Sequence, residues 1–155
     1  MEADLAIDLD KREVISGHLK ILLASTYAFY LKTQNYHWNL VGKEFYAMHQ
    51  LFQTQYEELA ETIDEMAERI RALGFFVEGG LGVFKEKSLI DDETDPKKSL
   101  PNMIEQLLND HEAIIAFMRK HLPEVESFHD GATADFINKR LSVHEKMAWM
   151  LRSSL

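Results

Sequence analysis

The chain of 155 residues contains no cysteine. Disulfides, thiolate metal sites and cysteine nucleophiles are therefore excluded, and any bound metal must be held by nitrogen and oxygen. Proline (three residues) and glycine (seven) are sparse enough to leave long uninterrupted stretches. Basic charge is also short: 17 Lys and Arg stand against 26 Asp and Glu, for a formal net charge of -9. Such a surface repels phosphate backbones unless a local basic patch intervenes, and neither end carries a basic tail. Residues 1–10 hold Glu2, Asp4, Asp8 and Asp10 with no base, which lacks the basic start and apolar run of a signal peptide. No apolar run approaches the ~20 residues that a membrane span needs. The expectation is a cytoplasmic protein outside the membrane, with residues 1–155 forming one domain behind a short acidic segment at about 1–10. A hydrophobic content of 46% argues against disorder.

What is present is helical periodicity. From about Lys11 to Leu40 the pattern has no proline, and Val14, Ile15, Leu19, Leu22, Leu23, Phe29, Tyr30 and Leu31 cover more than one stripe. A helix apolar on several sides is buried on several sides, which points to a second subunit as well as its own bundle. Gly42 breaks the pattern, and a second helix is predicted from about Glu44 to Leu73, stopping at Gly74. Its core stripe is Phe45, Met48, Phe52, Tyr56, Leu59, Ile63, Met66 and Ile70, opposite an acidic face of Glu57, Glu58, Glu61, Asp64, Glu65 and Glu68. Residues 75–98 read as a long crossover with a short helix near Val83–Ser88. A third helix is predicted from an N-cap at Ser99 to about His121, ended by Pro123. A fourth runs from about Thr133 to Arg152. The sum is an all-α fold, a ferritin-like four-helix bundle whose long crossover lets helices two and three run parallel.

His37, His49, Asp64 and Glu68 are the usual ligand types for a first-row transition metal. His37 lies near the end of helix one and His49 one turn into helix two, so a tight bend brings both imidazoles to one end of the bundle. Asp64 and Glu68, four apart, share a helix face. His49 and Asp64 are 15 residues apart, roughly 22 Å along a helix, whereas metal–ligand bonds are only ~2.0–2.2 Å. One chain cannot close this site. Two antiparallel copies related by a two-fold can, and they close two equivalent sites. Imidazole suits Fe(II) and Zn(II), and carboxylate favours the harder Fe(III), so an open shared site fits iron oxidation better than closed structural zinc. The pattern alone leaves plainer readings open. Asp64 and Glu68 can be a solvated acidic face on which Glu57, Glu61 and Glu65 are equally eligible, with Glu68 in reach of Arg71. His37 and His49 can be hydrogen-bonded boundary residues. An intra-bundle di-iron centre needs Glu-x-x-His on two helices, and the one instance, Glu126-Ser-Phe-His129, falls in the expected loop after Pro123.

The spacing from His37 to His49 to Asp64 to Glu68 resembles the inter-subunit ferroxidase pattern of the Dps family, the mini-ferritins or DNA-binding proteins from starved cells. Asn-Tyr-His-Trp-Asn at 35–39, Asp-Glu-Met-Ala-Glu-Arg-Ile at 64–70 and the close from His144 to Arg152 are similar to that family too. The resemblance covers nearly the whole chain. It implies a hollow dodecamer that oxidises Fe(II) with hydrogen peroxide, or with oxygen, and stores ferric mineral, with zinc as a competitor for the same site. His37 and His49 would bind iron from one chain, Asp64 and Glu68 from its two-fold partner. Trp38 would sit beside the site as an electron donor when oxidant outruns iron, its plainer role being an interface aromatic. Asp130 and Asp135 resemble acids lining three-fold pores that admit iron, with an N-cap (Asp130) and a dipole pairing (Asp135) as their plainer roles. Where members often carry acids facing the cavity, this chain has Gln50 and Gln53, leaving nucleation to Glu57 or Glu61. The alternative function is a DNA-coating nucleoid protein, against which the acidic composition argues. His18, His111, His121, His129 and His144 receive no role.

Overall fold

A computed structural model describes residues 3–155. It consists of α1 (Leu9–Asn39), α2 (Phe45–Ala72), α3 (Leu81–Lys87), α4 (Leu100–Ser127) and α5 (Gly131–Arg152), with no strand among the described residues. Helices α1 and α2 pack along each other, as do α4 and α5, and α1 also packs on α4 and on the short α3 of the crossover. Two side-chain pairs fix the directions. Lys32, late in α1, meets Asp110, early in α4, whereas His18, early in α1, meets Glu124, late in α4. Helices α1 and α4 are thus antiparallel, and α2 and α4 run parallel, as the long crossover requires.

The core follows the helical period. Ile15, Leu19 and Phe29 of α1 meet Phe52, Leu59 and Ile70 of α2, Met103, Leu107 and Ile114 of α4, and Ile137, Leu141 and Leu151 of α5 in one buried cluster. Helix α1 has an 18-residue window of mean hydropathy 1.2, enough by length and composition alone to cross a membrane, but half of that window is buried inside the bundle. Its apolar character is the one expected of a helix packed on several neighbours. An outer strip of α1 stays uncovered: Leu31 is 46% and Trp38 60% exposed.

Chain reversals use specific chemistry. Gly42 takes φ 131° between α1 and α2. After α2, Gly74 takes φ 99°, its N–H donates to Arg71 O at 3.0 Å, and the Phe75 N–H donates to Ile70 O at 3.3 Å. These two bonds form a Schellman cap, whose left-handed residue favours glycine. The buried Arg12 guanidinium donates to the last carbonyl, Leu73 O, at 2.8 Å.

Three sequence expectations need correction. Pro123 does not end α4, which continues to Ser127. Pro123 is exposed, on the wet side where a missing backbone hydrogen bond costs least, while Val125 is buried and holds the last turn to the core. Glu126 and Ser127 are consequently helical, and His129 sits beyond them in a tight turn with φ 60°. Phe45 is 43% exposed rather than part of the core stripe, because it lies in the first turn, ahead of the bundle. Smaller shifts place the crossover helix at Leu81–Lys87 and start α5 at Gly131.

Candidate metal centre

The five-residue link between α1 and α2 turns the chain back on itself and stacks the His37 and His49 rings, with centroids 3.7 Å apart and planes 17° from parallel. Each ring reaches the other residue's backbone: His37 Nδ1 lies 2.9 Å from His49 O, and His49 Nδ1 lies 2.9 Å from His37 O. A carbonyl oxygen can only accept, so both Nδ1 atoms carry hydrogen and donate. With Nδ1 as the donor, the neutral form of each ring carries its lone pair on Nε2, the tautomer in which a histidine ligates through Nε2. Tyr56 meets the His37 ring edge-on at 5.1 Å and Phe45 stacks on His49 at 5.0 Å, walling the pair from two sides.

Asp64 and Glu68 are exposed on α2, one turn apart. Because α2 is unbroken from Phe45 to Ala72, the 15-residue interval still separates them from His49 by roughly 22 Å. The fold thus joins His37 to His49 and does not bring Asp64 and Glu68 to them within one chain. It gives partners to some of the other acids on that face. Glu57 accepts from Gln53 at 2.7 Å, Glu58 pairs with Arg140, and Lys139 approaches Glu65 at 3.9 Å. Asp64 and Glu68, like Glu61, have no hydrogen-bond or ion-pair partner among the described residues, and Arg71 turns instead to Phe75 O and the Phe76 ring.

The ferritin family, described as a ferritin-like domain, matches residues 17–155. An uncharacterized low temperature-induced protein of Nostoc sp. is 37% identical over 145 residues, covering 93% of this chain and 81% of that protein. DNA protection during starvation protein 2 of Bacillus anthracis is 32% identical over 126 residues, covering 81% and 86%. The chain belongs to the Dps family. A Dps crystal structure from Vibrio cholerae, described as a member of a broad superfamily of ferritin-like diiron-carboxylate proteins, superimposes with a TM-score of 0.92 at 28% identity over 99% of this chain and 96% of that one.

Other parts of the Dps-like motifs have structural work. In the segment 35–39, Asn35 Nδ2 donates to Glu93 O at 3.2 Å and the Tyr36 hydroxyl donates to the Glu93 carboxylate at 3.0 Å. Lys98 pairs with the same carboxylate, and the Asp95 N–H donates to it at 2.8 Å. The crossover is thereby tied to the histidine end of α1. The Lys98 hydrogen bond first, then the Asp95 N–H, hold Glu93 down at about 2, while burial and then Glu93 push the Tyr36 phenol well up.

Asp130 is buried. It caps α5, accepting from Thr133 N at 3.0 Å, and takes both oxygens to Arg69 Nη2 at 2.8 and 3.0 Å. Burial alone would raise its carboxyl, but the bonds from Thr133 and Arg69 outweigh that and leave it below its ordinary value. The N-cap alternative at this position is therefore what the fold displays. Asp135 is exposed one turn into α5.

Sequence reasoning missed a buried polar chain through the bundle. The Gln55 side-chain oxygen can only accept, so His111 Nε2–H donates to it at 3.3 Å. His111 Nδ1 is then an acceptor, and His144 Nδ1–H donates to it at 2.9 Å. His144 Nε2 in turn accepts from Arg140 at 3.3 Å, and Arg140 closes on Glu58. Both imidazoles must be neutral for this order to hold. Burial, then the Arg140 charge, presses His111 down to about 3, and burial, then His111, presses His144 well below its ordinary range. The signal was two histidines on the inward stripes of separate helices, but the pairing required all of α2, α4 and α5 in place.

Proposed function

We propose that this Dps-family chain is a mini-ferritin that oxidises Fe(II) and stores the ferric product, with each oxidation site built by two chains. His37 and His49 of one chain bind iron together with the Asp64 and Glu68 carboxylates contributed by a second copy. The observation that carries this reading is the reciprocal His37–His49 pair. Its two free Nε2 atoms stand at one end of an unbroken α2, and the unpartnered Asp64 and Glu68 stand one turn apart far along it. Antiparallel pairing of two copies matches the two half-sites. The uncovered apolar strip at Leu31 and Trp38 supplies a face on α1 for that pairing.

Imidazole nitrogen holds Fe(II) well, and carboxylate oxygen stabilises Fe(III), so the mixed set favours loss of an electron. With peroxide, two Fe(II) give up one electron each, the O–O bond breaks, and two protons complete two waters. Oxygen serves as a second oxidant, and Zn2+ competes for the same ligands. Removing Fe(II) and peroxide together protects the cell from hydroxyl radical. The assembly is a hollow dodecamer in the cytoplasm. Trp38, adjacent to His37, donates an electron when oxidant exceeds iron. Asp135, exposed, meets iron at a three-fold pore, with Asp130 supporting that pore from the N-cap of α5. Glu57 or Glu61 seeds the mineral where other members carry acids at the positions of Gln50 and Gln53.

Anaerobic titration with Fe(II), followed by peroxide or oxygen, tests the reading. The expected result is a soluble ferric core in a particle of about twelve chains, with binding saturating before oxidant is added. A monomer, or iron precipitating outside the protein, would refute it. The relatives named for DNA protection motivate one control. The net charge of -9 predicts no salt-sensitive shift of duplex DNA in a gel at low salt.

A further inference from the structure

We propose that His18, His121 and Glu124 form a second metal site, separate from the shared oxidation site, that binds a borderline divalent transition cation such as Zn2+. One potential ligand atom from each of the three residues lies within 4.8 Å of the other two. His121 and Glu124 are three apart on α4 and so lie on one face, and His18 faces them from the antiparallel α1. The His18 and His121 ring centroids are 4.0 Å apart, and His18 Nε2 is already 2.7 Å from Glu124 Oε2. Phe117 packs against both rings, with centroids 6.2 Å from His18 and 4.5 Å from His121, and gives the cluster an apolar wall. Two half-buried imidazoles and a carboxylate whose side chain is 46% exposed leave the cluster reachable from solvent on the acid's side.

The donor set fixes the class of ion. Two nitrogens and one oxygen suit Zn2+ and its neighbours, whereas Ca2+ and Mg2+ want oxygen. Three protein ligands leave a tetrahedral ion one position for water. In the metal-free chain, His18 Nε2–H donates to Glu124. Zn2+ replaces that hydrogen between the two atoms, and the proton moves to His18 Nδ1 or to solvent. This site needs no second chain. It lies 19 residues before His37 along α1, roughly 28 Å away, and shares no residue with the other site. The continuation of α4 through Pro123 creates it, since a helix ended at His121 would not put Glu124 on the same face.

The test counts Zn2+ bound to the assembled protein by equilibrium dialysis with elemental analysis. The parent is compared with His18→Gln/His121→Gln and with Asp64→Asn/Glu68→Gln. The expected result is loss of one Zn2+ per chain in the first variant, with its iron oxidation retained, and persistence of that Zn2+ in the second. Equal Zn2+ in the parent and in the folded His18→Gln/His121→Gln variant would overturn the proposal and leave the cluster as a simple link between helices. If that variant does not fold, anomalous diffraction from Zn2+-soaked crystals of the parent decides. Density between the three side chains supports the site, and its absence overturns it.

Discussion

Replacing Lys32 by Met should be among the most damaging single changes in the bundle. Lys32 Nζ lies 2.7 Å from Asp110 Oδ2, and the two side chains are 2% and 9% exposed. Asp110 has one further partner, Gln106, at 3.0 Å. Burial already pushes the Asp110 carboxyl up, and the Lys32 ammonium is the main force holding it charged. Met fills the stem volume but removes the charge, so the carboxylate is left buried beside a single amide. Breaking such a pair costs about 3–5 kcal/mol, against a total stability of about 5–15 kcal/mol for a typical domain. Replacing both partners, Lys32→Met with Asp110→Leu, should recover most of the loss, because desolvation of the pair offsets much of its attraction. The assay is urea unfolding at fixed chain concentration, since assembly adds its own stabilisation. The Lys32→Met deficit should also shrink as the pH falls and Asp110 takes up a proton. A single variant within about 0.5 kcal/mol of the parent, the range of ordinary surface changes, would refute the reasoning.

Two further predictions concern the polar chain and the α5 cap. His111 has a pKa of about 3 in the fold and 6.5 as its ordinary value, so below pH 6.5 the unfolded chain binds a proton that the fold refuses. Stability should therefore fall as the pH drops from 6.5 toward 3, and His111→Gln should flatten that fall by up to one proton per chain in pH-dependent unfolding. Asp130→Ala removes a cap worth about 0.5–2 kcal/mol and also strips Arg69 of its carboxylate. A lowered melting temperature with a loss near or above the upper figure is expected, and an unchanged melt would contradict the role given to Asp130.

Most of the fold was legible because the apolar residues of α2, α4 and α5 repeat at the helical period. Pro123 misled because proline ends a helix only where the lost bond and ring clash cannot be tolerated; on an exposed turn anchored by Val125 they can. Phe45 kept the period of α2 but lies in its first turn, where it stacks on His49 rather than entering the core, which periodicity cannot reveal. The two halves of the candidate site were legible from spacing, since 15 residues on one helix cannot converge. The hydrogen bonds that set the His37 and His49 tautomers were not, because they run to backbone carbonyls across the bend. The Gln55–His111–His144–Arg140 chain and the His18–His121–Glu124 cluster each join helices distant in sequence, so no local pattern announces them.

The central claim, an oxidation site divided between two chains, is tested most directly by mixing two inactive variants. His37→Gln and Asp64→Asn each damage both sites of a homodimer. In a hybrid dimer one site collects both lesions and the other collects none. Random pairing of equal amounts makes half the dimers hybrid, so about a quarter of all sites should be intact. The measurement is the rate of Fe(II) oxidation in re-formed oligomers whose mixed composition is verified by mass. Recovery to about a quarter of the parent rate is the predicted result; no recovery in verified hybrids would contradict the shared site.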